Sequence, residues 1–233
     1  MVSTDERSKV SAREINETIR YTCWAIFART GIEPPPGATA ELEAVVAKLA
    51  KDDVIVRGFY DVSAMRADAD LMIWLHAPTA EQVQAAVREI RRTSLADSME
   101  LEFSTMGIHR PAEFNKGHVP AFMAGVEACE WVCMYPFVRS YDWYLIPEEE
   151  RRAMLVEHGM MGRDYTMIKS NTVAAFALGD YEWVLALESP ELHEIVDMMR
   201  QLRSSQARRH VREEIPFYTG RLIDAATAVD ILR

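Results

Sequence analysis

The chain repeats itself. Shifted by 112 positions, DADLMIWLHAPTAEQVQAAVREIRR (68–92) falls on DYEWVLALESPELHEIVDMMRQLRS (180–204), so that Asp68 meets Asp180, Pro78 meets Pro190 and Arg88 meets Arg200. In each copy an apolar strand runs to a proline that opens an amphipathic helix, a residue whose fixed φ and missing N–H suit a first helical position. The helix at 190–206 sets Leu192, Ile195, Val196, Met199 and Leu202 on one stripe, at spacings of three and four. The same shift lays the strand-like IRYTCWAIFA (19–28) on WVCMYPFVRS (131–140).

Each half therefore predicts strand, helix, strand, strand, helix, strand. In the first half these fall at about 18–28, 39–51, 53–62, 69–77, 79–94 and 100–109. In the second they fall at about 129–139, 147–160, 169–178, 180–188, 190–207 and 215–222, with a short helix at the end. That order is the split β-α-β unit, twice. The expected class is α+β, with two ferredoxin-like halves, 1–110 and 129–233, forming a dimeric α+β barrel within one chain. Between them RPAEFNKGHVPAFMAGVEA (110–128) has two prolines, two glycines and no sustained periodicity. Long connections of this kind in compact domains are often functional.

Lys plus Arg is 26 against 36 Asp plus Glu, a net charge of −10 in 233 residues. Nucleic acid and anionic membrane both need a cationic surface, so neither is expected as a partner. Any anionic ligand must be met by a local basic cluster. No apolar stretch approaches the roughly 18 residues of a membrane span. MVSTDERSKVSAREINE has no apolar signal region, and the expected compartment is the cytoplasm. Cys23, Cys129 and Cys133 read as small buried thiols, the last two on one predicted strand and too far apart there to pair.

The duplication acts as an internal control. At that shift Tyr135 stands where the first copy has Cys23, Arg139 where it has Phe27, and His158 where it has Val46. The polar departures gather in the second copy. Around them CMYPFVRSYDWY (133–144) packs aromatic rings about Arg139, either as a core strand entering an aromatic turn or as the wall of a pocket for a large, flat, acidic ligand. His158 closes the helix opened by PEEERRAMLVEH, whose Pro147 and three glutamates suit a helix start, and Gly159 stops or loosens that helix. Met154, Leu155, Met160 and Met161 surround the imidazole and favour its neutral form, the form that binds a porphyrin iron. A helix-terminal His facing the dipole is the alternative. His118, in FNKGHVP, reads as a loop residue, while His76, His109, His193 and His210 carry no evident chemistry. The basic run RQLRSSQARRHVRE (200–213) is either a solvated helix face or a contact for ligand carboxylates or a neighbouring subunit. There is no GxGxxG, P-loop, HExxH or acidic metal loop.

Taken together, TIRYTCWAIFA, HRPAEFNKGHVPAF, YPFVRSYDWYLIPEEERRAMLVEHGMMGRDY, NTVAAFALGDYEWVLALESPELHEIVDMMR and HVREEIPFYTGRL resemble the actinobacterial coproheme decarboxylases of the chlorite dismutase-like superfamily, over about residues 15–222. The resemblance implies heme chemistry confined to the C-terminal half and a homopentameric ring. It also implies oxidative loss of two propionate carboxyls from iron-coproporphyrin III as CO2. Heme b is then the product, hydrogen peroxide the oxidant, and the upstream ferrochelatase a transient partner. Carried over residue by residue, it makes His158 the axial iron ligand, Tyr135 the catalytic tyrosine that takes hydrogen from the propionate, and His118 the distal base toward peroxide. Arg139 and Trp143 fall where the family contacts propionates. The strand after His158 reads KSNTVAAFAL, without the distal arginine of the chlorite-detoxifying relatives, which speaks against chlorite decomposition. The rival readings are a heme-binding or transfer protein, needing only His158, and a dye-type peroxidase of the same superfamily.

Overall fold

The computed structural model describes residues 11–233, and residues 1–10, on which the expectation of a leaderless N-terminus partly rests, lie outside the described residues. A short helix that the repeat did not predict, α1 (Ala12–Glu17), closes on a capping box. The Glu14 N–H donates to the Ser11 hydroxyl, and the Glu14 carboxylate accepts the Ser11 N–H. The first half then runs β1 (Tyr21–Arg29), α2 (Ala38–Lys51), β2 (Ile55–Asp61), β3 (Leu71–Ala77), α3 (Ala80–Ile90) and β4 (Met99–Ile108). The second runs β5 (Trp131–Arg139), α4 (Glu148–Gly162), β6 (Lys169–Ala174), β7 (Trp183–Ser189) and α5 (Leu192–Leu202). A 3-10 turn at Gln206–His210, the short β8 (Val211–Glu213), β9 (Tyr218–Ile223) and α6 (Ala225–Ile231) complete it.

Each half orders its strands alike, β4-β1-β3-β2 and β9-β5-β7-β6, and two seams, β2–β9 and β4–β6, join their edges. The result is a closed antiparallel barrel of eight strands, with β8 added against the end of β5. Closure removes the free edges that an open sheet would expose. Alternate residues divide between two environments, as the pleat requires. Trp24, Ile26, Met134, Val132 and Val184 fill the barrel, whereas Cys23, Ala25 and Phe27 face the helices α2, α3 and α6. The outer layer of the first half is packed solid by Leu42, Leu49, Val83 and Ile90. Its counterpart in the second half is smaller, and α4 buries no residue at all. A void replaces core there.

The repeat is real but its offset is not uniform. Strand β7 and helix α5 follow β3 and α3 by 112, whereas β5 and α4 begin 110 after β1 and α2. Register settles the matter, because Cys23 pairs with Leu75 as Cys133 pairs with Leu187. The structural twin of Tyr135 is thus Ala25 and that of Arg139 is Arg29, not Cys23 and Phe27, and His158 falls opposite Lys48, not Val46. Along a strand a slip of two leaves every side chain on its own face, so the alternating pattern of β5 could not reveal it. Residues 52–54 link α2 to β2, whereas the longer 163–168 links α4 to β6.

Smaller corrections follow from local chemistry. Pro78 stands before the cap rather than inside α3, because the Thr79 hydroxyl accepts the Gln82 N–H and is the cap itself. Pro147 is likewise the residue before α4, and Pro190 precedes the cap of α5. Helix α4 continues through Gly159 to Gly162, so Gly159 does not end it. On α5, Val196 is exposed and Met198 is buried in its place. Cys129 lies before β5, half-buried, rather than on the strand; Cys23 and Cys133 are buried, with thiols pushed up to about 12 and about 11.

Candidate active site

Between the outer face of β5, β6 and β7 and the helices α4 and α5 lies a cavity of about 600 Å³, within the roughly 300–1,000 Å³ common for small-molecule sites. Tyr135, Arg139, Trp143, His158 and His118 all line it. They come from a strand, the turn after it, a helix and the connecting segment. Folding brings them together from 118 to 158 in sequence.

His158 projects from α4, and its Nδ1 lies 3.3 Å from the Ser205 hydroxyl. Burial, with Arg139 nearby, pushes its pKa down, so the ring is neutral at ordinary pH. With Nδ1–H donating to Ser205, Nε2 keeps its lone pair for a metal, the arrangement by which an outer partner fixes a ligating imidazole. Gly159 and Gly162 on the same helix meet nothing within 4 Å of where a Cβ would stand, which leaves the helix face open toward a flat ligand.

Tyr135 is 5% exposed, stacked on Phe217 with ring centroids 4.6 Å apart, and its hydroxyl reaches the Met199 sulfur at 3.6 Å. Burial and Glu214 push the phenol strongly up, so it stays protonated. Arg139 lies over Trp143, its guanidinium carbon 4.2 Å from the ring centroid and 5.0 Å from that of Phe137. Only its backbone N–H is engaged, by Glu182 at 2.8 Å; among the described residues the guanidinium makes no hydrogen bond. Burial pulls that guanidinium down. A half-buried guanidinium with free donors facing a cavity is a site for a ligand carboxylate.

His118 sits in the connecting segment, its Nε2 2.8 Å from the Ser170 hydroxyl on β6. Several supporting residues escaped the sequence reading. Ser205 and Ser170 lie 47 and 52 residues from the histidines they hold. His210, assigned no chemistry above, packs against Trp143 at 5.5 Å and takes up the Ser140 hydroxyl at 3.0 Å. His109 also lines the cavity; its Nε2 meets the Asn16 side chain at 3.2 Å, while its buried Nδ1 has no partner among the described residues. The basic run divides. Arg203 and Arg208 reach the cavity rim and converge on Glu214, whereas Arg200 pairs at the surface with Asp197. Of the short signals available, only the charge run pointed that way.

Among the described residues no group of three or more His, Cys, Asp or Glu could hold a metal ion. A porphyrin iron needs no such cluster, because the macrocycle fills four positions and one imidazole supplies a fifth. The neutral His158, the open glycines and the unpaired Arg139 fit such a group.

The family model for chlorite dismutase matches residues 36–223. The chain is 52% identical over 222 residues to the coproheme decarboxylase of Mycolicibacterium smegmatis, covering 91% of this chain and 94% of that one. It is 22% identical to the coproheme decarboxylase of Staphylococcus saprophyticus, over 74% and 75% of the two chains. Among solved structures, the chlorite dismutase of Candidatus Nitrospira defluvii in complex with imidazole superposes with a TM-score of 0.81 at 17% identity, covering 92% of this chain and 95% of that one. A mutant of that enzyme in complex with cyanide gives 0.81 at 18%, with the same coverage. These two share the fold.

Proposed function

This chain belongs to the chlorite dismutase family, and from that premise we propose that it carries out the coproheme decarboxylase reaction in the cavity described above. Iron-coproporphyrin III is the substrate, heme b the product, and hydrogen peroxide the oxidant. The observation that carries the reading is the meeting of Tyr135, His118, His158 and Arg139 on the walls of one cavity.

Bound iron porphyrin supplies the redox chemistry with peroxide, and the protein supplies position and protons. For each propionate one peroxide is reduced to two waters. The side chain loses one hydrogen and its carboxylate as CO2, leaving a vinyl. His158 holds the iron through Nε2, its ring set by Ser205. His118 takes a proton from incoming peroxide and returns it to the departing oxygen, as an imidazole with one free ring nitrogen can. Tyr135 yields the hydrogen of its phenol to the oxidised site and replaces it with hydrogen from the propionate. A phenol held protonated gives up proton and electron together, which phenylalanine cannot. Arg139, backed by Trp143, receives a propionate and holds the reacting edge in place.

On this reading residues 129–233 bind the porphyrin, 111–128 deliver the distal base and 1–110 frame the barrel. No helix among the described residues is long and apolar enough to cross a membrane. Action in the cytoplasm, a homopentameric ring and transient receipt of substrate from a ferrochelatase belong to the same proposal.

Anaerobic loading with iron-coproporphyrin III followed by peroxide titration tests it by mass. The expected product is lighter by two CO2, reached through a species that has lost one. A porphyrin that keeps all four propionates while peroxide is consumed would overturn the reading.

A further inference from the structure

Inside the barrel, on the opposite face of the sheet from the cavity, lies a buried ion pair that the reaction does not explain. Glu188 on β7 is fully buried, and the Arg57 side chain from β2 is 6% exposed. Arg57 Nη2 and Nε donate to both carboxylate oxygens at 2.8–3.2 Å. The same guanidinium donates to the carbonyl oxygens of Val126 and Glu127, at 2.9 and 3.3 Å. Glu188 also accepts the Cys129 N–H at 3.2 Å and the Asn171 side-chain amide at 2.9 Å. Asn171, on β6, in turn accepts the Phe122 N–H at 2.9 Å. Four of these hydrogen bonds end on the backbone of residues 122–129.

Arg57 reaches inward because it is the extra residue of a bulge. Val56 opposes Leu75 and Gly58 opposes Trp74, with Arg57 unpaired between them and its guanidinium 5.0 Å over the Trp74 ring. Phe122 plugs into the same barrel end, packed on Trp74 at 6.0 Å and His76 at 4.9 Å. The segment is therefore gripped at 122 and at 126–129. His118 hangs four residues before the first grip, against Ser170, the neighbour of Asn171.

We propose that Arg57 is a positioning residue for His118, acting through a clamp with Glu188 and Asn171 that fixes the connecting segment over the cavity. This rests on the reading of His118 as the base toward peroxide. It gives the first half, expected to be scaffold alone, a part in the reaction. A buried pair retained where apolar residues would pack as well is explained if its hydrogen bonds hold something that must not move.

The test is Arg57→Met, read in two ways. In the ligand-free protein, amide exchange at 118–129 should rise about tenfold or more while β1 and β3 stay protected. Loaded with iron-coproporphyrin III, the variant should keep the ferric spectrum set by His158 but consume peroxide roughly a hundredfold more slowly, the scale of a misplaced catalytic group. On a His118→Ala background the same substitution should add no further loss. Should the lone Glu188 prevent folding, Arg57→Met with Glu188→Leu removes both charges and is read identically. Unchanged exchange at 118–129, or losses that multiply with His118→Ala, would overturn the proposal. A His118→Ala protein with wild-type peroxide kinetics would sink the reading of His118 instead, and exchange alone would then judge the clamp.

Discussion

The ring of Tyr135 is held by packing, and only its hydroxyl is held by chemistry. Phenylalanine fits the same slot, keeps the stack on Phe217 and gives up only a long contact to the Met199 sulfur. Tyr135→Phe should leave the melting temperature and porphyrin affinity nearly unchanged while product formation falls at least a hundredfold, within the roughly 10²–10⁴ carried by a proton-transferring group. Conversion at the wild-type rate would remove the tyrosine from the mechanism. His158→Ala makes the complementary claim. It should abolish the absorption spectrum of ferric iron bound by one protein imidazole, although Arg139 still draws the porphyrin in; an unchanged spectrum refutes the ligand assignment. Tyr135 was legible because a tyrosine stood where the repeat put a small residue, Cys23 by the uniform shift and Ala25 by register. Arg139 and His158 have the polar twins Arg29 and Lys48 and stood out through the aromatic and methionine-rich stretches around them. Their holders were not legible. Ser205, Ser170 and Phe217 are ordinary residues on other elements, and only the fold makes them neighbours.

Helix α4 is the element that differs most from its counterpart. Its twin α2 buries Ala38, Leu42 and Leu49, whereas α4 buries nothing and turns Leu155, His158, Gly159 and Gly162 to a cavity. Its ties at the mouth are polar. Arg151 pairs with Glu113 of the connecting segment and donates to the Ile146 carbonyl at 2.9 Å, while Phe114 lies beneath Arg152 at 4.8 Å. A helix without buried apolar contacts draws little stability from packing, so amide exchange in the ligand-free protein should be faster across 148–162 than across 38–51. Iron-coproporphyrin III should then slow α4 and leave α2 unaffected; equal protection of both helices without ligand would contradict a cavity-facing α4. Element type and order were readable from periodicity in both halves, since strand and helix patterns have distinct periods. The two-residue change of offset was not, and neither was the bulge at Arg57, because each preserves or resets face parity without altering composition.

At the scale of the molecule, function depends on how the barrel is closed beside the site. Strand β6, which carries Ser170 and Asn171, pairs with β7 along its whole length, from Lys169 opposite Glu188 to Ala174 opposite Trp183. It meets β4 only at Ile108 and Ala174. Glycine permits that seam. A Cβ on Gly107 would stand 2.2 Å from Val173 Cγ2 and 3.0 Å from Val173 Cβ, and Val173 is a stiff β-branched residue fixed in the barrel core. The other seam uses the same device, with a Cβ on Gly220 falling 2.9 Å from the Asp61 carbonyl oxygen. Gly107→Ala should therefore destabilise by about 1–3 kcal/mol as overpacking. Val173→Ala, which leaves a void in the barrel, should cost a comparable amount by itself. Combined, the new methyl enters the space the valine vacates, and the double variant should be more stable than the sum of the two losses by about 1 kcal/mol or more. Strict additivity in denaturant unfolding would show that the seam absorbs the methyl elsewhere, and that glycine is not what brings β4 and β6 together.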